Sequence, residues 1–119
     1  MSYAAYADVQ KASETPRDLE IRAVSQVTRR LADVNRPDAT PLDRVIALNE
    51  NAKLWSVLIE DLEDPGNSLP DTLKASYISI GMFARRTSLA AMSGGAGLAA
   101  LIDINTDVLE ALNNQRLAA

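Results

Sequence analysis

The stretch TPLDRVIALNENAKLWSVLIEDLEDPGN, residues 40–67, carries its own start signal, a sustained period and a stop signal. Thr40 offers a capping hydroxyl. Pro41 suits the first helical position, where its missing N–H would have no partner anyway, and Asp43 favours the positive end of the helix dipole. Val45, Leu48, Ala52, Trp55, Ile59 and Leu62 then recur at steps of three and four residues, the period of one helix face. Asp64-Pro65-Gly66-Asn67 has the composition of a turn. The pattern predicts a helix between Pro41 and Asp64, with the only tryptophan of the chain on its inward seam.

The same grammar extends in both directions. Upstream, Thr15-Pro16 with Asp18 opens a helix whose apolar positions are Val24, Val27, Leu31 and Val34, and Arg36-Pro37-Asp38 closes it. Downstream, a third helix is expected from near Ser68, capped by that hydroxyl with Asp71 three residues on. Its expected seam is Leu73, Tyr77, Ile80, Ala84, Thr87 and Ala91, ended by Gly94-Gly95. A last helix begins at about Leu98, with seam Leu98, Leu101, Asn105, Val108 and Leu112. No run alternates with period two for long enough to suggest a strand. The fold class expected is all-α: an antiparallel four-helix bundle over residues 15–116 with an additional short N-terminal segment or helix, residues 1–14, in a single domain spanning 1–119. In that first segment, Tyr3, Tyr6 and Val9 have weakly helical spacing.

Composition removes whole classes of chemistry. The 119 residues contain no cysteine, so neither a disulfide nor a thiolate metal site can form. They contain no histidine either, which removes the commonest general base and metal ligand. No catalytic residues, metal or other cofactor are expected. A net charge of −4 argues against a dominant electrostatic grip on nucleic acid. There is no basic-then-apolar leader and no apolar run of the ~20 residues that cross a bilayer, so a cytoplasmic protein is expected.

Several features offer chemistry and have a plainer reading. Glu60, Asp61, Glu63 and Asp64 crowd the unfavourable, negative end of a helix; a solvated face accounts for them better than a metal site, since the spaced oxygen loop of a calcium site is missing. Gly94-Gly95-Ala96-Gly97 lacks the strand and the Gly-Lys-Ser/Thr ending of a phosphate loop and reads as a helix–helix turn. Arg29-Arg30 and Arg85-Arg86 are basic doublets without the aromatic platform that stacks bases. Trp55 reads as core, its indole N–H needing an acceptor for which Asn51, one turn earlier, is a candidate. Asn105 interrupts an apolar seam and reads as a register-fixing buried amide.

What resists the plain reading is apolar surplus. Beside the seams stand Ala47, Leu54 and Leu58 on the second helix, Ile78, Met82, Phe83 and Leu89 on the third, and Ile102, Ile104 and Leu109 on the last. A surface helix of a simple bundle needs one apolar stripe of a little over 100°. Helices apolar on two sides are either central or waiting for a partner helix, and in a chain this small not all can be central, which points to protein binding.

The residues also carry a resemblance. Tyr3-Ala4, Pro16-Arg17-Asp18-Leu19-Glu20, Ala47-Leu48 leading to Asn51, Leu54 and Trp55, Asn67-Ser68-Leu69-Pro70 with Leu73, and Leu101-Ile102-Asp103-Ile104-Asn105 occur in an order and spacing that resemble the flagellar biosynthesis regulator family FlaF. Lys74, Thr106 and Ala111 depart from the family's usual arginine, arginine and glycine. More faintly, Tyr3, Tyr6, Pro16, Asp18 and Leu19 are similar to the start of the FliS-type flagellin chaperones. The resemblance implies a non-enzymatic factor for flagellin production and export, working alongside the regulator FlbT. Flagellin and FlbT are the partners expected; direct nucleic-acid binding, a membrane and a small-molecule ligand are not. The expected partner-binding residues are Tyr3, Tyr6, Leu19, Leu54, Leu58, Ile78, Met82 and Phe83, with the tyrosine segment covering an empty groove; Asn51, Trp55 and Asn105 form the polar core. The alternative function is post-transcriptional regulation on flagellin mRNA, directly or through FlbT, with the arginine doublets as phosphate contacts.

Overall fold

The computed structural model describes residues 15–94 and 96–118, with side chains up to Asn114. The expected N-terminal segment, with Tyr3 and Tyr6, lies outside the described residues, as does Gly95. Four helices follow one another: α1 (Pro16–Val34), α2 (Pro41–Glu63), α3 (Asp71–Ala91) and α4 (Leu98–Ala118), with no strand among the described residues. The backbones of α1 and α3 each approach α2 and α4, so the helices close a ring with its core along the middle. Across the α2–α4 diagonal the link is made by side chains.

The helix starts show why these segments fold locally. At α1 the Asp18 N–H donates to Thr15 Oγ1 at 3.1 Å and the Thr15 N–H donates to Asp18 Oδ2 at 3.3 Å, a reciprocal box that satisfies two orphan donors. At α2 the Asp43 N–H donates to Thr40 Oγ1 at 3.1 Å. Arg44 reaches back to donate to the Arg36 carbonyl at 2.7 Å, placing a cation at the negative end of α1.

α3 departs from expectation at its start. It begins at Asp71 with Pro70 as N-cap and no side-chain capping bond, so Ser68 is not the cap. The residue before a proline is driven from the helical region, which delays the helix until Pro70 has passed. Instead Asn67 organises the turn: its Oδ1 accepts from the Leu69 N–H at 3.0 Å and its Nδ2 donates to Asp61 Oδ2 at 3.3 Å. Asp64 Oδ1 accepts from the Gly66 N–H at 2.7 Å. Two of the four acids crowded at the end of α2 are thus used to build its exit.

The inward face of α3 keeps Ala84 and Ala91 of the expected seam but is otherwise rotated from it. The buried positions are Gly81, Ala84, Ser88 and Ala91, whereas Leu73 and Ile80 are exposed. The cause is close approach. A Cβ on Gly81 would lie 2.8 Å from Trp55 Cε3 and 2.9 Å from Ile59 Cγ1, so only a glycine lets α3 sit against the indole. Small residues win the inward face because α2 already fills the space with a large ring. At α2 the seam begins later than expected: Val45 is at the surface, and the buried set is Ala47, Leu48, Asn51, Ala52, Trp55 and Ile59. In α1 and α4, Val24, Leu31, Val34, Leu101, Asn105, Val108 and Leu112 are buried as the spacing predicts.

Candidate partner-binding surface

At the centre of the ring four polar side chains are sealed from water. The Trp55 indole N–H donates to Asn105 Oδ1 at 3.0 Å; Asn105 Nδ2 donates to Asn51 Oδ1 at 2.8 Å; Asn51 Nδ2 donates to Ser88 Oγ at 2.9 Å. The Ser88 hydroxyl closes the chain on the Ala84 carbonyl at 2.7 Å. Each of the four side chains donates to an acceptor, as buried polar groups require. The indole acceptor is therefore Asn105 across the bundle on α4, not Asn51; the ring extends away from its own helix, and Asn51 is linked to it only through Asn105. These side chains tie α2, α3 and α4 together and are spent on one another.

A crevice opens beside this network, walled by Trp55, Leu58, Tyr77, Val108 and Leu112, with Arg17 and Glu20 at its mouth. It holds about 40 Å³, room for water but not for a metabolite. Burial there pushes the Glu20 carboxyl above its ordinary value; the Arg17 guanidinium, 3.0 Å away, pulls it down, and the facing Asp61 carboxyl pushes it up again.

The larger opening lies between α3 and α4. Turning small residues inward sends the large side chains of α3 to its flanks. Tyr77, Ile80 and Phe83 form one wall of a solvent-open groove of about 470 Å³, and Ile104, Asp107 and Val108 form the other. Phe83 is 49% exposed and Ile80 39%, although both are apolar and stand side by side. Asp107 lines the groove, with Asp103 and Glu110 exposed one turn to either side on α4.

The expected partner-binding residues are not gathered on one surface. Phe83 lines the α3–α4 groove. Ile78 and Met82 fall on the opposite flank of α3, beyond the Gly81–Ala84–Ser88 face. Leu54 and Leu58 are half-buried against the core, Leu58 at the crevice, and Leu19 is exposed on α1. The groove residues Tyr77 and Ile80 belong to the expected core seam of α3, whereas Val108, which also lines the groove, is buried as its seam predicts. The signal that would have found them is the recurrence of Gly81, Ala84, Ser88 and Ala91 at helical spacing, which competes with the large-residue seam for the inward face.

The basic doublets are separated. Arg30 pairs with Glu50 at 2.6 Å, and Arg29-Arg30 and Arg85-Arg86 lie on α1 and α3, whose backbones do not approach one another. Among the described residues no three acidic side chains gather as a metal cage, and none of the helices is long and apolar enough to cross a membrane.

A family model described as flagellar protein FlaF matches residues 2–112, nearly the whole chain. Neither a curated protein sequence nor a solved structure matches it. An all-helical ring with this sequence match has one reading, and the chain belongs to the flagellar protein FlaF family.

Proposed function

We propose that this FlaF-family chain is a cytoplasmic, non-enzymatic chaperone that supports flagellin synthesis and export by holding an amphipathic flagellin helix in an apolar groove. The observation that carries the reading is the α3–α4 groove, where Tyr77, Ile80, Phe83, Ile104 and Val108 present apolar surface without a covering element among the described residues. A helix laid there would bury its own apolar stripe against that surface, at ~25 cal/mol per Å² before ordering costs. We read the bundle as antiparallel, because α1 and α2 meet in opposite order: Glu20 faces Asp61 while Arg30 pairs with Glu50. The groove lining runs from Tyr77 to Phe83 on α3 and from Ile104 to Val108 on α4, roughly one to two turns of each helix. The separation of the arginine doublets, one of them engaged by Glu50, makes a shared RNA-phosphate surface the poorer account.

Calorimetric titration of the full chain with its cognate flagellin tests this. A one-to-one complex that survives high salt and loses at least about tenfold in affinity in Phe83→Ser is expected; Phe83 is half exposed, so that variant keeps its fold. No binding by well-folded protein would overturn the reading and turn attention to regulation through FlbT or flagellin mRNA.

A further inference from the structure

The α3–α4 groove is electrically lopsided. Its α3 wall is neutral, made of Tyr77, Ser79, Ile80 and Phe83, while its α4 wall carries Asp107. Asp103 and Glu110 extend that charge one turn each way along the exposed side of α4. Among the described residues no arginine or lysine pairs with any of the three. An acidic row that pairs with no cation among the described residues, bordering an apolar groove on one side only, is a feature that a bound helix would read by rotation as well as by affinity.

We propose that the groove selects amphipathic helices bearing a row of lysine or arginine along the one flank that meets α4, and that this rim sets how the bound helix is turned. The flagellin-binding reading supplies the natural partner; the charge preference is a separate property of the groove. Apolar contact with Tyr77, Ile80, Phe83, Ile104 and Val108 provides most of the affinity. The rim adds a screened electrostatic component and penalises helices with acid on that flank. The same rim disfavours the two nearest occupants. A second copy of this chain brings a net charge of −4. The N-terminal stretch MSYAAYADVQKASE carries Lys11 against Asp8 and Glu14, and has no basic row to offer.

Two synthetic helical peptides with one apolar face, differing only in lysine or glutamate along one flank, test this by calorimetric titration into the full chain at low and high salt. The lysine peptide is expected to bind at least about tenfold more tightly at low salt, and the ratio to shrink at high salt as exposed charges are screened. Asp103→Asn with Asp107→Asn should remove most of the preference, and Phe83→Ser should weaken both peptides. Equal affinities, a preference that survives the double variant, or no binding of either peptide would overturn the proposal. So would a dimer, seen by sedimentation, that must dissociate before a peptide binds. A lysine preference without flagellin binding leaves this inference standing and removes the flagellin reading; flagellin binding without a peptide preference does the reverse.

Discussion

Asn105 holds two obligations at once, accepting from the Trp55 indole and donating to Asn51, and all three side chains are fully buried. Asn105→Ala strands both groups and leaves a small void, so a loss of about 2–4 kcal/mol is expected from chemical denaturation midpoints. Trp55→Ala removes the ring as well and should cost ~3–5 kcal/mol. Gly81 gives a sharper test because two effects oppose each other. Alanine gains about 1 kcal/mol of helix propensity, but its methyl would meet an indole that is pinned by its hydrogen bond and enclosed, with an overpacking cost of about 1–3 kcal/mol. A lowered Tm is expected for Gly81→Ala; a raised one would show that the ring can yield. That Trp55 and Asn105 are special is legible in the sequence, since each breaks the pattern around it. That they meet is not, because the pairing depends on how α2 and α4 are set against each other across the bundle.

At the scale of the helix, two of the starts were written plainly. Thr15-Pro16 and Thr40-Pro41 place a hydroxyl and a proline where the first turn uses both, and each hydroxyl accepts a backbone N–H. Thr15→Ala and Thr40→Ala should each cost about 1 kcal/mol, whereas Ser68→Ala should stay within about 0.5 kcal/mol because Ser68 caps nothing. A Ser68 effect as large as the threonine ones would contradict the assignment of Pro70 as N-cap. The inward face of α3 was obscured by a principle that usually succeeds. Large apolar residues at helical spacing normally face a core, yet here a tryptophan on the neighbouring helix occupies the volume they would need. Gly81, Ala84 and Ser88 go inward, and the large apolar residues are left on the flanks of α3, with Tyr77, Ile80 and Phe83 at the groove.

For the molecule as a whole, Glu20 links stability to acidity. Its carboxyl sits at the crevice mouth between α1 and α2, and burial raises its pKa above the ordinary 4.5. A raised carboxyl binds its proton more tightly in the folded than in the unfolded chain. Its contribution therefore favours folding below the ordinary value and is lost as pH climbs through the raised one. Glu20→Gln should be more stable than the parent at neutral pH and lack this pH-dependent decline, which a series of denaturation curves will read. A parent chain whose stability rises across that window, relative to the variant, would refute the sign. Helix number and connection were legible because each helix carries local start and stop signals. The groove was not, because it arises from what α2 denies to α3.

Trp55 is the only tryptophan, and it is shielded from water with its N–H bound to a neutral amide. Its fluorescence should therefore be blue-shifted while the bundle holds and shift red only when the core opens, making the chain its own unfolding indicator. Occupancy of the α3–α4 groove should leave that emission nearly unchanged. With no cysteine anywhere in the sequence, Ser79→Cys would accept a single environment-sensitive dye at the groove wall while leaving Phe83 in place. Two colours from one molecule would then separate folding from binding in the same cuvette.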